Sequence, residues 1–250
     1  MDRRKLRSAI YRRHSRRAFA DKPLSARAEQ VLKGEIARIN KKSGLHIQYL
    51  AQGSRFFNRL AGGYGMFKNV QAVIALVGPP DTPRIAMGYC GEELVLAATV
   101  LGVDSCWVGA TYHKKDVKDC VKLAPGEALC AVIALGYAGP KRSLTERLML
   151  KFAHRKPKKL PRLFNEVQGT PKSFMRGMEA VGRMPSALNR KAVYFTFERG
   201  HVAVALTGGD KSGGLDLGIA MLHFELGAGL AGRWEKQGER YLFYPELNNF

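Results

Sequence analysis

Short apolar runs of two kinds follow one another along the chain, and they constrain its fold more than any other feature. β-branched runs of strand length occupy residues 71–77 and 128–135, and a strongly apolar helical run occupies 94–101. Further strands are predicted at 45–51, 106–109, 192–197, 202–206 and 240–244, and further helices at 3–17, between Pro23 and Gly44, at 173–184 and at 217–226. Mixed helices and strands with hairpin-like pairs predict an α+β fold.

The lengths of these runs also exclude several protein classes. No run approaches the roughly 20 apolar residues of a membrane-spanning helix, and the basic N-terminus lacks the apolar segment of a secretory signal. The chain has 250 residues and 4 cysteines without a C-x-x-C pair, so reduced thiols and no metal site are expected. We therefore expect a cytoplasmic protein of one large or two modest domains, without membrane association.

The net charge of +20 is concentrated in two segments. Residues 1–60 carry 16 basic and 4 acidic side chains, and residues 141–162 carry 9 and 1, whereas the other segments are close to neutral. Two separate basic stretches favour an anionic ligand, nucleic acid or an acidic surface as partner.

A weak internal repeat indicates two halves. The apolar helices at 94–101 and 217–226 both stop at a glycine, and with an offset of 125 residues Gly102 falls on Gly227. A tryptophan follows each helix, Trp107 in the first case and Trp234 in the second. Any two buried helices that end at glycine would share part of this pattern, so a duplication is a hypothesis at this point.

The segment Arg13-His14-Ser15-Arg16-Arg17-Ala18-Phe19 carries the most chemical information. Guanidinium groups bind phosphate in a bidentate manner and stay charged, and a serine hydroxyl adds another donor. If the first helix runs through residue 17, Arg13 and Arg17 share one of its faces. The alternative is an ordinary solvated basic helix.

This segment resembles the opening of the FMN-dependent nitroreductase family, and residues 21–24 resemble its continuation. The resemblance implies a nitroreductase-like α+β fold, with central sheets flanked by helices. It also implies that Arg13, His14, Ser15 and Arg17 hold the ribityl-phosphate tail of FMN.

Residues 101–109 are similar to the family's segment that passes the flavin ring. The resemblance implies that the backbone amides of Val108, Gly109 and Ala110 face the ring, where they would stabilise negative charge on the reduced flavin. Lys68 and Asn69 lie in a stretch that resembles single-chain members of the superfamily and are expected near the flavin.

The basic stretch after residue 140 resembles the family's tail that returns to the phosphate. Arg155 and Lys156 are the candidates there, with Lys158 or Lys159 as alternatives. Ala138 stands where the family usually has proline.

A Pro-Ser-x-x-Asn motif, which the resemblance assigns to the flavin site, occurs at Pro185, Ser186 and Asn189. In dimeric relatives the partner subunit supplies this segment, but here the second half of the same chain carries it. The chain therefore resembles single-chain tandem members that imitate the dimer, with halves at residues 1–165 and 166–250. This implies one FMN per chain and a monomer, although Arg190 and Lys191 depart from the motif.

Three functions follow as hypotheses. The first is an FMN-dependent oxidoreductase that takes hydride from NAD(P)H at flavin N5 and passes it to a nitroaromatic or quinone acceptor by a ping-pong scheme. The second is a degenerate flavin binder, a carrier or sensor without catalysis. The third, a basic nucleic-acid-binding protein, is disfavoured because the aromatic residues do not interleave with the basic ones as a stacking platform requires.

Overall fold

The computed structural model describes residues 1–57, 67–79, 83–109, 119–139, 160–165, 168–208 and 213–246. These residues form five α-helices and eight β-strands. The helices are α1 (Arg3–Arg12), α2 (Ala26–Ser43), α3 (Arg84–Val100), α4 (Lys172–Gly182) and α5 (Gly213–Ala228). The strands are β1 (Gln48–Ala51), β2 (Ala72–Gly78), β3 (Asp104–Val108), β4 (Ala128–Gly136), β5 (Val193–Glu198), β6 (His201–Leu206), β7 (Gly232–Gln237) and β8 (Arg240–Pro245).

The strands form two antiparallel sheets, which confirms the predicted α+β class. The first sheet has the order β1-β2-β4-β3 and the second the order β5-β6-β8-β7. The central pair of the first sheet joins Ile74 to Ile133, and every residue of β2 is buried. None of the helices in the described ranges is both long and apolar enough to cross a membrane.

The chain divides into two compact units that are not contiguous in sequence. The first comprises residue 1 and residues 12–83 and 93–153, and the second comprises residues 2–11, 84–92 and 154–250. The predicted halves at 1–165 and 166–250 differ from these units, because α1 and the start of α3 group with the second unit. Whether the halves arose by duplication stays a prediction.

In the first unit, α2 follows its sequence signals closely. The Ser25 hydroxyl accepts a hydrogen bond from the Ala28 amide at 3.2 Å, and Gly44 closes the helix at φ 71°. Leu32, Ile36 and Ile39 form the buried face.

Helix α1 is shorter than predicted, and the expectation of a helix through residue 17 was wrong. Leu6, Ala9 and Ile10 are the buried residues of α1, and no apolar side chain continues their spacing after Ile10. From Ser15 onward the backbone pairs with neighbouring strands instead. Strand pairing therefore replaces helical hydrogen bonds in a stretch whose local sequence is compatible with either state.

One helix boundary and one whole strand also differ from the sequence prediction. Helix α3 begins at Arg84, ten residues before the apolar run that predicted it. Strand β7 was missed, because Arg233, Glu235 and Lys236 give it a polar sequence around Trp234.

In the second unit, α4 packs closely on α5 through glycines. A Cβ atom added at Gly177 would lie 2.6 Å from the Phe224 ring, and one at Gly227 would lie 2.5 Å from the Ala180 side chain. The β5–β6 hairpin turns at Arg199 and Gly200, both with positive φ, as its sequence predicts.

The two sheets share an order of elements. The sequence α2-β1-β2-α3-β3-β4 in the first half is followed by α4-β5-β6-α5-β7-β8 in the second.

The structure also changes the number of residues by which the two halves of the repeat are offset. Gly227 lies inside α5, whereas Gly229 takes the left-handed conformation (φ 77°) that Gly102 (φ 74°) takes after α3. Gly102 and Gly229, like Trp107 and Trp234, are 127 residues apart.

Candidate functional site

The segment of residues 13–19 lies along the outer edge of β3 in the first unit. Ser15 forms a parallel bridge with Ser105, and the Arg16 amide donates to the Ser105 carbonyl at 3.0 Å. Because β3 is the last strand of its sheet, this segment covers an edge that would otherwise expose backbone groups.

Phe19 anchors the segment in the core. Its amide donates to the Lys68 carbonyl at 3.0 Å, and the Lys68 amide donates to the Arg17 carbonyl at 2.9 Å. The Phe19 ring is buried over Gly136, where an added Cβ would lie 2.6 Å from the ring. Glycine is therefore required at residue 136 for the segment to reach the sheet.

The donors of this segment follow the end of α1 at Arg12, so the expectation that Arg13 and Arg17 share a helical face was wrong. Ser15 is bridged to β3, and the chain bends at Arg17. The Arg13 Nη1 donates to Ser15 Oγ at 3.2 Å, and the Arg17 guanidinium lies 6.0 Å from the Phe67 ring centroid. Both arginines are half-buried and Ser15 is exposed. Arg13, Ser15 and Arg17 are called the donor set below.

The intervening residues have different roles. The Arg16 Nη2 donates to the Gly139 carbonyl at 3.2 Å and so ties the segment to the end of β4. His14 is exposed. Sequence reasoning did not single out Arg16 within the motif. Its place next to Arg17 was the available signal, because adjacent side chains point in different directions and only one of the two can join the donors.

Lys68 and Asn69 lie beside the segment, and their expected place near the flavin stays a prediction. The Lys68 side chain is exposed. Asn69 has a φ of 53°, and its Nδ2 donates to the Phe19 carbonyl at 3.3 Å. Asn69 therefore supports the backbone of the segment with its own side chain.

Tyr137, which follows β4, adds a polar contact next to these residues. Its carbonyl accepts from the Ala20 amide at 2.8 Å, and its hydroxyl accepts from the Ser25 amide at 3.1 Å. Hydrogen bonding with Ser25, helped by the charge of Lys22 above the ring, lowers the pKa of Tyr137.

The other predicted residues of the first unit lie at the end of β3. Val108 is buried opposite Val132, and Gly109 is the first exposed residue after the strand. The Asp104 carboxylate accepts from the Ala138 amide at 2.9 Å, which fixes the chain where the family's proline is absent. Ala110, Arg155 and Lys156 lie outside the described residues.

Pro185, Ser186 and Asn189 lie in a tight loop of the second unit. The Ser186 hydroxyl accepts from the Lys191 amide at 3.0 Å, and the Lys191 ammonium donates to the Asn189 Oδ1 at 2.7 Å. Leu188, Asn189 and Lys191 all have positive φ, between 46° and 55°. Left-handed backbone at non-glycine residues is strained and concentrates at functional sites.

Asp216 supports this loop and was not identified from the sequence. Both of its carboxylate oxygens accept from the Ala187 amide, at 3.2 and 3.1 Å, and its side chain is buried. An acidic residue in the first turn of α5 was the available signal, but its contact with residue 187 depends on tertiary structure.

Comparisons with known proteins give one family and one structural likeness over nearly the whole chain. The family model described as "Putative TM nitroreductase" matches residues 5–228. A crystal structure described as a putative nitroreductase from Thermotoga maritima is 20% identical, with 95% of this chain and 92% of that chain covered and a TM-score of 0.63. At this identity the likeness shows the fold alone.

Two further structures match over part of the chain. A nitroreductase with bound FMN from Bacteroides fragilis is 16% identical over 67% of this chain and 97% of its own, at a TM-score of 0.45. An FMN-dependent nitroreductase from Clostridium difficile is 17% identical over 59% of this chain and 97% of its own, at a TM-score of 0.43. TM-scores this low carry no argument about this chain. The search of curated proteins finds no match.

Proposed function

Since the chain belongs to the nitroreductase family whose model matches residues 5–228, we propose that it is an FMN-dependent NAD(P)H oxidoreductase. The acceptors we propose are nitroaromatic or quinone-like compounds. The observation that supports this most strongly is the donor set of Arg13, Ser15 and Arg17 at the edge of β3.

This donor set suits a phosphate monoester. Two guanidinium groups and a hydroxyl offer several charge-assisted hydrogen bonds to one dianion. Their backbone is fixed by the pairing of Ser15 with Ser105 and of Ala18 with Lys68, so little ordering would be needed when the phosphate binds. The predicted Arg155 and Lys156 would add charge from the other basic segment.

FMN, when bound, would supply the hydride chemistry between the reduced nicotinamide and the acceptor. The chain's own part is to bind and orient it. Gly109, exposed at the end of β3, would offer a backbone amide without a side chain in the way. Ser186 and Asn189, held by Lys191 and Asp216, would present a preformed loop to the ring. No side-chain acid or base is required by this scheme.

We further propose one FMN per chain and a monomeric protein. Among the described residues, the edge of β7, which corresponds to β3 in strand order, has no bridge to a segment like residues 15–16. The Pro-Ser-x-x-Asn loop in turn belongs to the second half. Each of these two parts therefore occurs once in the described chain, which supports one flavin per chain.

One observation favours a second candidate, a flavin-binding carrier or sensor without catalysis. The Asn189 Oδ1 and the Ser186 hydroxyl both bond within their own loop, to the side chain and the amide of Lys191. If these bonds persist with flavin bound, the loop presents fewer polar groups to the ring than the family motif implies.

Anaerobic titration of the purified protein tests both candidates. We expect a flavin absorption spectrum at about one FMN per chain, bleached by NADH or NADPH and restored by a quinone. Colourless protein that takes up no added FMN would exclude both candidates. Bound flavin that NAD(P)H never bleaches would exclude the oxidoreductase and leave the carrier.

A further inference from the structure

The outer edge of β1 carries a groove that the proposed function does not use. The groove has a volume of about 340 Å³ and lies in the first unit. It is lined from three sides, by α2, by β1 itself and by the residues before β4. The lining residues are Lys33, Ile36, His46, Gln48, Tyr49, Leu50, Cys120 and Lys122. Its lining combines apolar and polar side chains, and it is open to solvent.

Backbone alternation along β1 makes the N–H and C=O of Tyr49 point outward, away from β2. The His46 amide donates to the Val77 carbonyl of β2, so residues 46, 48 and 50 face β2. Residues 47, 49 and 51 therefore direct their N–H and C=O groups away from the sheet. Within the described part of the chain, the outward N–H and C=O of Tyr49 have no hydrogen-bond partner.

Ile47, two residues before Tyr49, shows which kind of group can pair with this edge. The Ile47 amide donates to the Asn40 Oδ1 at 2.9 Å, and the Asn40 Nδ2 donates to the Ile47 carbonyl at 2.8 Å. A carboxamide thus pairs by two hydrogen bonds with Ile47, the residue just before β1, as a further strand would. A peptide group placed beside Tyr49 would continue the same pattern.

The charged residues of the groove indicate which kind of peptide it would bind. Lys33 is paired with Glu29 at 2.6 Å, and His46 with Glu127 at 2.7 Å. The exposed Lys122 has no ion-pair partner among the residues that the structure describes. The chain as a whole carries +20, which disfavours a second copy of itself as the occupant and favours an acidic one.

We propose that this groove binds an extended acidic peptide segment of a partner protein by strand addition to β1. Tyr49 and Ala51 pair with the peptide backbone, and Lys122 pairs with one of its carboxylates. The site does not depend on flavin. It lies at the opposite edge of the sheet from residues 13–17, because β1 and β3 are the two outer strands.

The test measures binding of a fluorescent pentapeptide, acetyl-Glu-Val-Glu-Val-Glu-amide, to the full chain by anisotropy. Backbone pairing is probed with two N-methylated peptides, one modified at the second and fourth residues and one at the third. Since alternate residues face the strand, we expect one of the two modified peptides to bind about tenfold more weakly and the other to be nearly unaffected. Equal binding of both modified peptides overturns the proposal.

Protein variants test the groove itself. We expect Lys122→Glu to weaken binding about fivefold, whereas Lys42→Glu, the same charge change at an exposed position of α2 outside the groove, leaves it unchanged. Tyr49→Pro removes the outward N–H at an edge position that tolerates proline and should also weaken binding, with circular dichroism confirming the fold. Equal losses from Lys122→Glu and Lys42→Glu, or self-association that blocks the peptide, would overturn the proposal.

Discussion

The two sheets have the same strand order but differ in what lies at the outer edge of their third strand. The edge of β3 is covered by residues 15–16, which bring Arg13 and Arg17 to it. The edge of β7 presents Arg233 and Glu235, which pair with each other at 2.6 Å, and no bridged segment among the described residues. The shared elements thus build a scaffold, and the ligand chemistry resides in the segments between them.

The interiors of the two units differ as well. The core around β2 and β4 in the first unit is apolar, with Phe19, Phe56 and Val73 among its members. The second unit buries a charged or polar set around α5. His223 and Glu92 are fully buried and lie 2.9 Å apart, and Glu225 accepts hydrogen bonds from Arg3, Tyr89 and Trp234. The second unit therefore depends more strongly on paired polar groups.

The largest expected effect tests the difference between the two edges. The double variant Arg13→Ala/Arg17→Ala removes two charge-assisted partners of the proposed phosphate, and we expect FMN to bind more than about 100-fold more weakly. Arg233→Ala on β7 is the matched control and should leave the affinity unchanged. Fluorescence titration of FMN measures both. An unchanged affinity in the double variant would place the phosphate elsewhere.

The next effect tests the buried pair of the second unit. The carbonyl of Ala180 lies 3.0 Å from His223 Nδ1, and the Glu92 carboxyl lies 2.9 Å from His223 Nε2, so both ring nitrogens are engaged. Glu92→Leu or His223→Leu alone removes one side of this buried polar contact and leaves the other in place. We expect each to lower the free energy of unfolding by about 3–5 kcal/mol, as measured by urea denaturation.

The double variant Glu92→Leu/His223→Leu completes the cycle. We expect it to recover most of the loss, because both polar side chains of the contact are replaced together by apolar ones. In the first unit, Lys33→Ala breaks an exposed pair with Glu29 and should change stability by less than about 1 kcal/mol. Additive losses in the double variant would show that Glu92 and His223 act independently.

A smaller effect concerns the strained loop of the second unit. Leu188 is 58% exposed with a φ of 51°, a conformation that asparagine adopts more readily. We expect Leu188→Asn to raise the free energy of unfolding by about 0.5 kcal/mol. If the strain serves the flavin site, the rate of flavin reduction by NAD(P)H falls in the same variant. A loss of stability would contradict the assignment of strain to this residue.

The smallest effect is the pH dependence of Glu225. Burial raises the pKa of the Glu225 carboxyl, although the charge of Arg3 and the hydrogen bonds from Trp234 and Tyr89 act in the opposite direction. A pKa raised in the folded state means stability that is present below the unfolded value of about 4.3 and lost as pH rises through the folded value. Wild type should therefore gain stability relative to Glu225→Gln as pH falls below neutrality. A constant difference across pH 4–8 would contradict the shift.

Sequence reasoning predicted the elements whose signals are local. Ser25 and Gly44 bound α2, and Arg199-Gly200 marks a hairpin, because caps and turns depend on a few adjacent residues. It failed for residues 13–17, where pairing with Ser105 overrides a helical pattern, and for β7, whose charged residues lie on an edge strand. These outcomes depend on contacts distant in sequence.

The candidate site shows the same division. Arg13, Ser15 and Arg17 were identifiable by residue type and by family resemblance, but their place on a non-helical segment beside β3 was not. Asp216 and Gly136 support the two predicted segments through contacts with Ala187 and Phe19. Gly136 stands in a stretch that resembles the family's strand end, whereas Asp216 belongs to no motif, and the contact of each with its segment depends on the tertiary structure.

The position of the buried Phe19 ring over Gly136 restricts where the chain can gain or lose residues. The ring fixes the place of the donors, which stand two, four and six residues before it. A single inserted or deleted residue between Ser15 and Phe19 would move Ser15 out of its bridge with Ser105 if Phe19 kept its place over Gly136. Length changes before residue 13 leave this spacing intact. The interval from the first arginine to the buried ring should therefore stay constant in length wherever such a site is retained, even where the residues within it change.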